Sequence, residues 1–170
     1  MKRIITLSVI LLLVCQSCIY FDIEPTIIQK LSEEELAVVP YKKGQQFNMV
    51  NQNNDTILWI VNEDTISLNH NYYHHYNRHI GINALDNSQT ISMDLKPDKQ
   101  LNIVYTNADG HNLYYNFFFD EMSPRTIVID NDTLYNVHVS AGDSSNQMIY
   151  SISQGIIRIQ KDSNYLQLIP

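Results

Sequence analysis

Beyond Pro40 the chain never sustains the 3.6-residue apolar period of a helix. Short apolar or alternating runs take its place at 47–50, 56–61, 65–68, 90–95, 101–106, 113–119, 126–129, 134–139, 148–152, 156–159 and 165–169. Runs of this length, rich in Ile, Val, Tyr, Phe and Thr, are read as strands. Asp109-Gly110 and Gln154-Gly155 stand between neighbouring runs as turn dipeptides, so adjacent strands are expected to pair antiparallel. The expected fold is therefore all-β and mainly antiparallel, either a β-sandwich or a curled meander with a barrel-like sheet. Trp59, inside the run 56–61, is most simply a core residue.

One short helical turn precedes the strands. Ser32 is followed three residues later by Glu35, a capping box in which each side chain reaches the other's backbone amide, and Pro40 ends the segment. With 170 residues, 44% of them hydrophobic, the chain suffices for one ordinary domain. Its 18 acidic residues outnumber 11 basic ones, which gives no electrostatic reason to expect nucleic acid as a partner.

The N-terminus carries the address. Lys2 and Arg3 precede an apolar stretch from Ile4 to Val14, interrupted by Thr6 and Ser8, the layout of a secretory signal peptide. As a helix the stretch would reach only about 16 Å, roughly half a hydrocarbon core. Ser17 stands directly before Cys18 where cleavage would fall, with Cys15 and Gln16 ahead of it. This ending resembles a bacterial lipobox and is similar to that of small uncharacterised lipoproteins of the Bacteroidetes type. The resemblance implies a signal peptide over 1–17, acylation of Cys18, a lipidated tether over 18–30 and a single β-rich domain over 31–170. It also implies a cell-envelope protein held to the outer membrane by lipid, on its periplasmic or surface face. The alternative is an ordinary secretory signal in which the two cysteines merely lie near the cut. Loss of Lys2 and Arg3 with the signal would leave 9 basic residues against 18 acidic ones, and Cys15 would leave too. With Cys18 consumed by its thioether, disulfide and thiol chemistry would be excluded. In the mature chain Leu31-Ser32-Glu33-Glu34-Glu35, Pro40-Tyr41-Lys42-Lys43-Gly44 and the Tyr150-Ser151 to Gly155-Ile156-Ile157 stretch are also similar to such lipoproteins. That likeness implies a β-rich fold and no known reaction.

Two sets of residues carry candidate chemistry. The segment 69–79 concentrates His70, Tyr72, Tyr73, His74, His75, Tyr76 and His79 among asparagines. His70/His74 and His75/His79 have the spacing that places two imidazoles on one helical face, as zinc could use. On a strand the same spacing separates side chains by ~13 Å, too far for one ion, and no HExxH motif is present. The segment is therefore expected as a solvent-exposed edge strand or loop. Tyr72, Tyr73, His74 and Tyr76 are the candidate contact surface for a protein or glycan partner. Asp55-Thr56-Ile57, Asp64-Thr65-Ile66 and Asp132-Thr133-Leu134 resemble the O-glycosylation sequon of Bacteroidetes-type proteins, which implies sugar on Thr56, Thr65 and Thr133 if they are exposed at turn-to-strand junctions. The same triplets arise when Asp favours a turn and Thr and an aliphatic residue begin a strand. There is no GxSxG elbow, no phosphate-cradling glycine loop and no complete calcium loop at Asp130 and Asp132, and Asp120-Glu121 reads as a solvated turn. The reading is a non-catalytic binding or structural module that needs no metal or cofactor. The alternative is a metal-dependent or carboxylate-based hydrolase using the segment 70–79.

Overall fold

A computed structural model describes residues 28–69, 75–129, 132–140 and 146–169. A five-residue helix, α1 (Glu33–Ala37), precedes eleven strands. These are β1 (Gln46–Asn51), β2 (Thr56–Asn69), β3 (His75–Ala84), β4 (Thr90–Lys96), β5 (Gln100–Thr106), β6 (Asn112–Phe118), β7 (Arg125–Ile129), β8 (Asp132–Val139), β9 (Asn146–Ser151), β10 (Gly155–Lys161) and β11 (Asn164–Leu168). All belong to one antiparallel sheet of order β6-β5-β4-β3-β2-β1-β11-β10-β9-β8-β7, curled into a half-barrel. Of the two expected architectures the curled meander is the one formed. Because β1 also pairs β11, the consecutive strands β6 and β7 become the two edges of the sheet.

Alternation places the core. On β4 and β5, on β3 from Arg78 and on β6 from Tyr115, every second residue is buried, giving cross-strand rows such as Ile80–Met93–Ile103–Tyr115 and Ile82–Ile91–Tyr105 on the concave face. Curling brings the far half of the sheet onto these rows, with Phe117 and Phe119 packed on Tyr150 at centroid distances of 5.5 and 5.6 Å. A second, smaller cluster joins Val137, Ile149 and Ile157 to Ile127, Ile129 and Leu134. Ile149 points away from Met148 and Tyr150 by strand parity, so β9 is buried on both sides.

The segment 31–41 stoppers one end of the half-barrel. The capping box forms as expected, with Ser32 Oγ accepting from the Glu35 amide and Glu35 Oε2 accepting from the Ser32 amide at 2.6 Å. Burial pushes the Glu35 carboxyl up, but donors from Ser32 and from the Asp98 and Lys99 amides together outweigh it and hold it below its ordinary value. Arg78, 9% exposed, spans the junction. It forks onto Asp64 at 2.9 and 3.0 Å and donates to the carbonyls of Leu36, Val39 and Tyr41 at 3.1, 2.9 and 2.6 Å. Tyr150 donates to the Val38 carbonyl, and the Ile156 amide donates to the Tyr41 hydroxyl, both at 2.8 Å. Gly155 has φ +83°, and a Cβ there would lie 2.3 Å from that hydroxyl, so glycine meets both a backbone and a space requirement.

Two sequence expectations change. The runs 56–61 and 65–68 are one strand, β2, in which a bulge between Val61 and Glu63 reverses the parity. Trp59 and Val61 point inward before it, and Asp64 pairs across from buried Ile80 after it. Of the segment 69–79, expected as an exposed edge strand or loop, residues 70–74 lie outside the described residues, His75–Asn77 pair with β2 and have no partner on β4, and Arg78 and His79 lie between β2 and β4 in β3, whose alternate residues from Arg78 to Ala84 are buried.

Candidate functional site

In an antiparallel meander alternate turns fall at the same end, so the β1–β2, β3–β4, β5–β6 and β10–β11 turns gather opposite α1. These turns are rich in Asn and Asp, residues that tolerate left-handed backbone and bond their own turn. Asn54, Asn87 and Asp162 have φ of 64°, 56° and 53°. Asn51 Oδ1 accepts from the amides of Asn53 and Asp55, both at 2.9 Å, and Asn107 Oδ1 accepts from those of Asp109 and His111 at 3.1 and 2.9 Å. Asp86 Oδ1 takes the Ser88 hydroxyl and amide, which hold its carboxyl below the ordinary value.

Between these turns lies a mouth of about 130 Å³. Asn51, Gln89, Tyr105, Asn107, Lys161 and Asn164 form its polar rim, and Ile57, Ile159 and Leu166 its floor. Tyr105 donates to Gln89 Oε1, and burial raises its phenol to about 12, so it stays a neutral donor and acceptor at ordinary pH. Amides, a phenol and one ammonium around an apolar floor can bond a neutral, hydroxyl-rich ligand from several directions.

The residues singled out from sequence fall elsewhere. Cys18, His70, Tyr72, Tyr73 and His74 lie outside the described residues. Tyr76 is half-buried at the α1 end, where its amide donates to the Gln29 carbonyl at 2.9 Å. Gln29 bridges His75 in parallel, so the chain enters the described fold beside the β2–β3 hairpin. His75 and His79 sit four apart on β3, and among the described residues no group of three or more His, Cys, Asp or Glu side chains is placed to hold a metal ion. His79 Nδ1 lies 2.9 Å from Asp94 and its Nε2 3.8 Å from Glu63. Thr56 and Thr133 are exposed at the starts of β2 and β8, whereas Thr65, also exposed, lies within β2 and not at a junction.

Sequence reading missed the mouth because its residues belong to four separate turns. The signal that could have found it is the recurrence of Asn and Asp at every second turn of a meander. No protein-family model matches the chain, and neither does any curated protein or solved structure. No helix among the described residues is long and apolar enough to cross a membrane.

Proposed function

We propose that this is a non-catalytic binding module of the cell envelope, anchored by acyl chains on Cys18, that presents a ligand mouth at the pole opposite its tether. The polarity of the molecule supports this reading: the chain enters beside α1, where Arg78 pins residues 36–41, while the mouth lies at the other end. Two or three acyl chains on one cysteine hold a protein to a bilayer essentially permanently, and a tether that joins the domain beside α1 leaves the mouth at the pole farther from the attachment. The amide and phenol rim favours a glycan as the ligand. Strand geometry weighs against the hydrolase alternative, because β3 spaces His75 and His79 ~13 Å apart and hands His79 to Asp94. Candidate O-glycans on Thr56, Thr65 and Thr133 would lie on exposed surface, and Thr56 would flank the mouth's β1–β2 turn.

The test is saturable binding of envelope glycan fragments to the protein, followed by calorimetry. Asn164→Ala and Lys161→Ala should each weaken binding about tenfold, the loss of one hydrogen bond to a polar ligand. Binding that neither substitution changes would move the site away from the mouth.

A further inference from the structure

The mouth is ringed by turns and polar in its depth. Its rim takes one residue at each of four turns, Asn51, Gln89, Asn107 and Asn164, so a linear chain meets turns on several sides and enters by its end. At about 130 Å³ it is smaller than the ~300–1,000 Å³ of sites that take in drug-sized molecules, room for one ring and not for a run of them. Below the rim, polar groups continue inward along a diagonal of the sheet. Tyr105 opposes Ile91 on β4 and Leu113 on β6; Gln89 lies two residues before Ile91, and Tyr115 two residues after Leu113. Diagonal neighbours are within reach of aromatic and long side chains, and Tyr105 does donate to Gln89 Oε1. Tyr115 is the next step in. It is 3% exposed, and its hydroxyl has no hydrogen-bond partner among the described residues. Burial, and then the Tyr105 phenol beside it, push the Tyr115 phenol up, so it keeps its proton. Buried hydroxyls are nearly always bonded, so an orphaned one at the base of a binding mouth marks where a ligand atom belongs. The chemistry of that atom is restricted. Tyr105 gives its proton to Gln89 and offers an accepting oxygen, whereas Tyr115 offers a proton. A sugar hydroxyl can accept from the one and donate to the other; a carboxylate, which only accepts, would face the Tyr105 lone pairs.

We infer that the mouth recognises the end of a neutral glycan, taking one terminal ring and setting a ring hydroxyl between the hydroxyls of Tyr105 and Tyr115. This rests on the proposed glycan-binding function and adds to it the unit bound and the two phenols that select it.

The test titrates the full-length protein in lipid nanodiscs with the methyl glycosides of glucose, galactose, mannose, fucose and N-acetylglucosamine. The readout is the emission of Trp59, the one tryptophan, which lies one inward position below the floor residue Ile57 on β2. At least one glycoside should bind saturably and displace the envelope glycan fragments completely. Tyr115→Phe should weaken that binding about tenfold, the loss of one hydrogen bond. The urea midpoint of the free variant should stay level or rise, because the substitution removes a hydroxyl that had no partner. A Tyr115 hydroxyl that served only the fold would show the reverse, a lower midpoint with binding unchanged, and would overturn the inference. If the fragments bind in a way that Asn164→Ala weakens, yet no methyl glycoside competes or Tyr115→Phe has no effect, the inference fails and the mouth stands as the binding site. Fragments that bind independently of Asn164, or do not bind, would overturn both.

Discussion

His138 is the residue at which pH meets stability. It is 4% exposed, lies edge-on to Phe119 at 4.7 Å, and its Nδ1 is buried without a hydrogen-bond partner among the described residues. Burial lowers its pKa below the ordinary 6.5, so the folded protein holds a neutral imidazole. Unfolding exposes that ring, which then takes a proton the native state refuses, and the unfolded state binds more protons below about pH 6.5. Stability conferred by the neutral ring is present above pH 6.5 and is lost as pH falls toward the lowered native value. Glu35, held below 4.5, adds a loss of the same sign further into acid. Urea denaturation midpoints should therefore fall from pH 7.5 to pH 5, and His138→Leu should flatten that slope; an unchanged slope would mean that the ring is protonated or solvated in the fold. In sequence this histidine was indistinguishable from the others, since neither its parity nor its neighbour Phe119 is local information. The core aromatics were plainer: Trp59, read as core, is fully buried, while of the adjacent Tyr114 and Tyr115 the first is 70% exposed and the second 3%.

At the scale of elements, β3 and the stopper segment explain what was legible and what was not. Most strand runs were visible because one face of each is apolar, and the turn dipeptides marked two hairpins correctly. β3 was hidden because its outward residues His75, Asn77, His79 and Asn83 are polar and one inward position is an arginine. Alternation persists in Ile80, Ile82 and Ala84, but over only five residues. Buried Arg78 makes sense only with partners far away in sequence: Asp64 on β2, the Leu36 carbonyl in α1 and the Val39 and Tyr41 carbonyls after it. Arg78→Leu would leave the Asp64 carboxylate and those carbonyls unpartnered, and removing one side of such a buried pair costs about 3–5 kcal/mol. The variant should lose that much in equilibrium denaturation, and the segment 31–41 should lose its hydrogen-exchange protection ahead of the sheet. A loss below ~1 kcal/mol would show that the segment is held by apolar packing through Val38, Val39 and Tyr41 alone.

The whole molecule is a curled sheet with a stoppered end and an open end, and the proposed function depends on a membrane anchor at the stoppered one. The open edges β6 and β7 are consecutive strands, yet the half-barrel does not close between them, because β7 and β8 turn aside to build the second cluster. The meander's alternate turns create the mouth, which was not visible as a site in the sequence, where its residues are scattered. The account rests on a lipid tether at the stoppered end. The most direct measurement is the intact mass of the native protein from membranes after growth with a clickable fatty acid, beside Cys18→Ala. The account predicts a mature chain that begins at Cys18 and carries the label, with label and membrane retention both lost in the variant. A soluble, unlabelled wild-type chain beginning at another residue would contradict it.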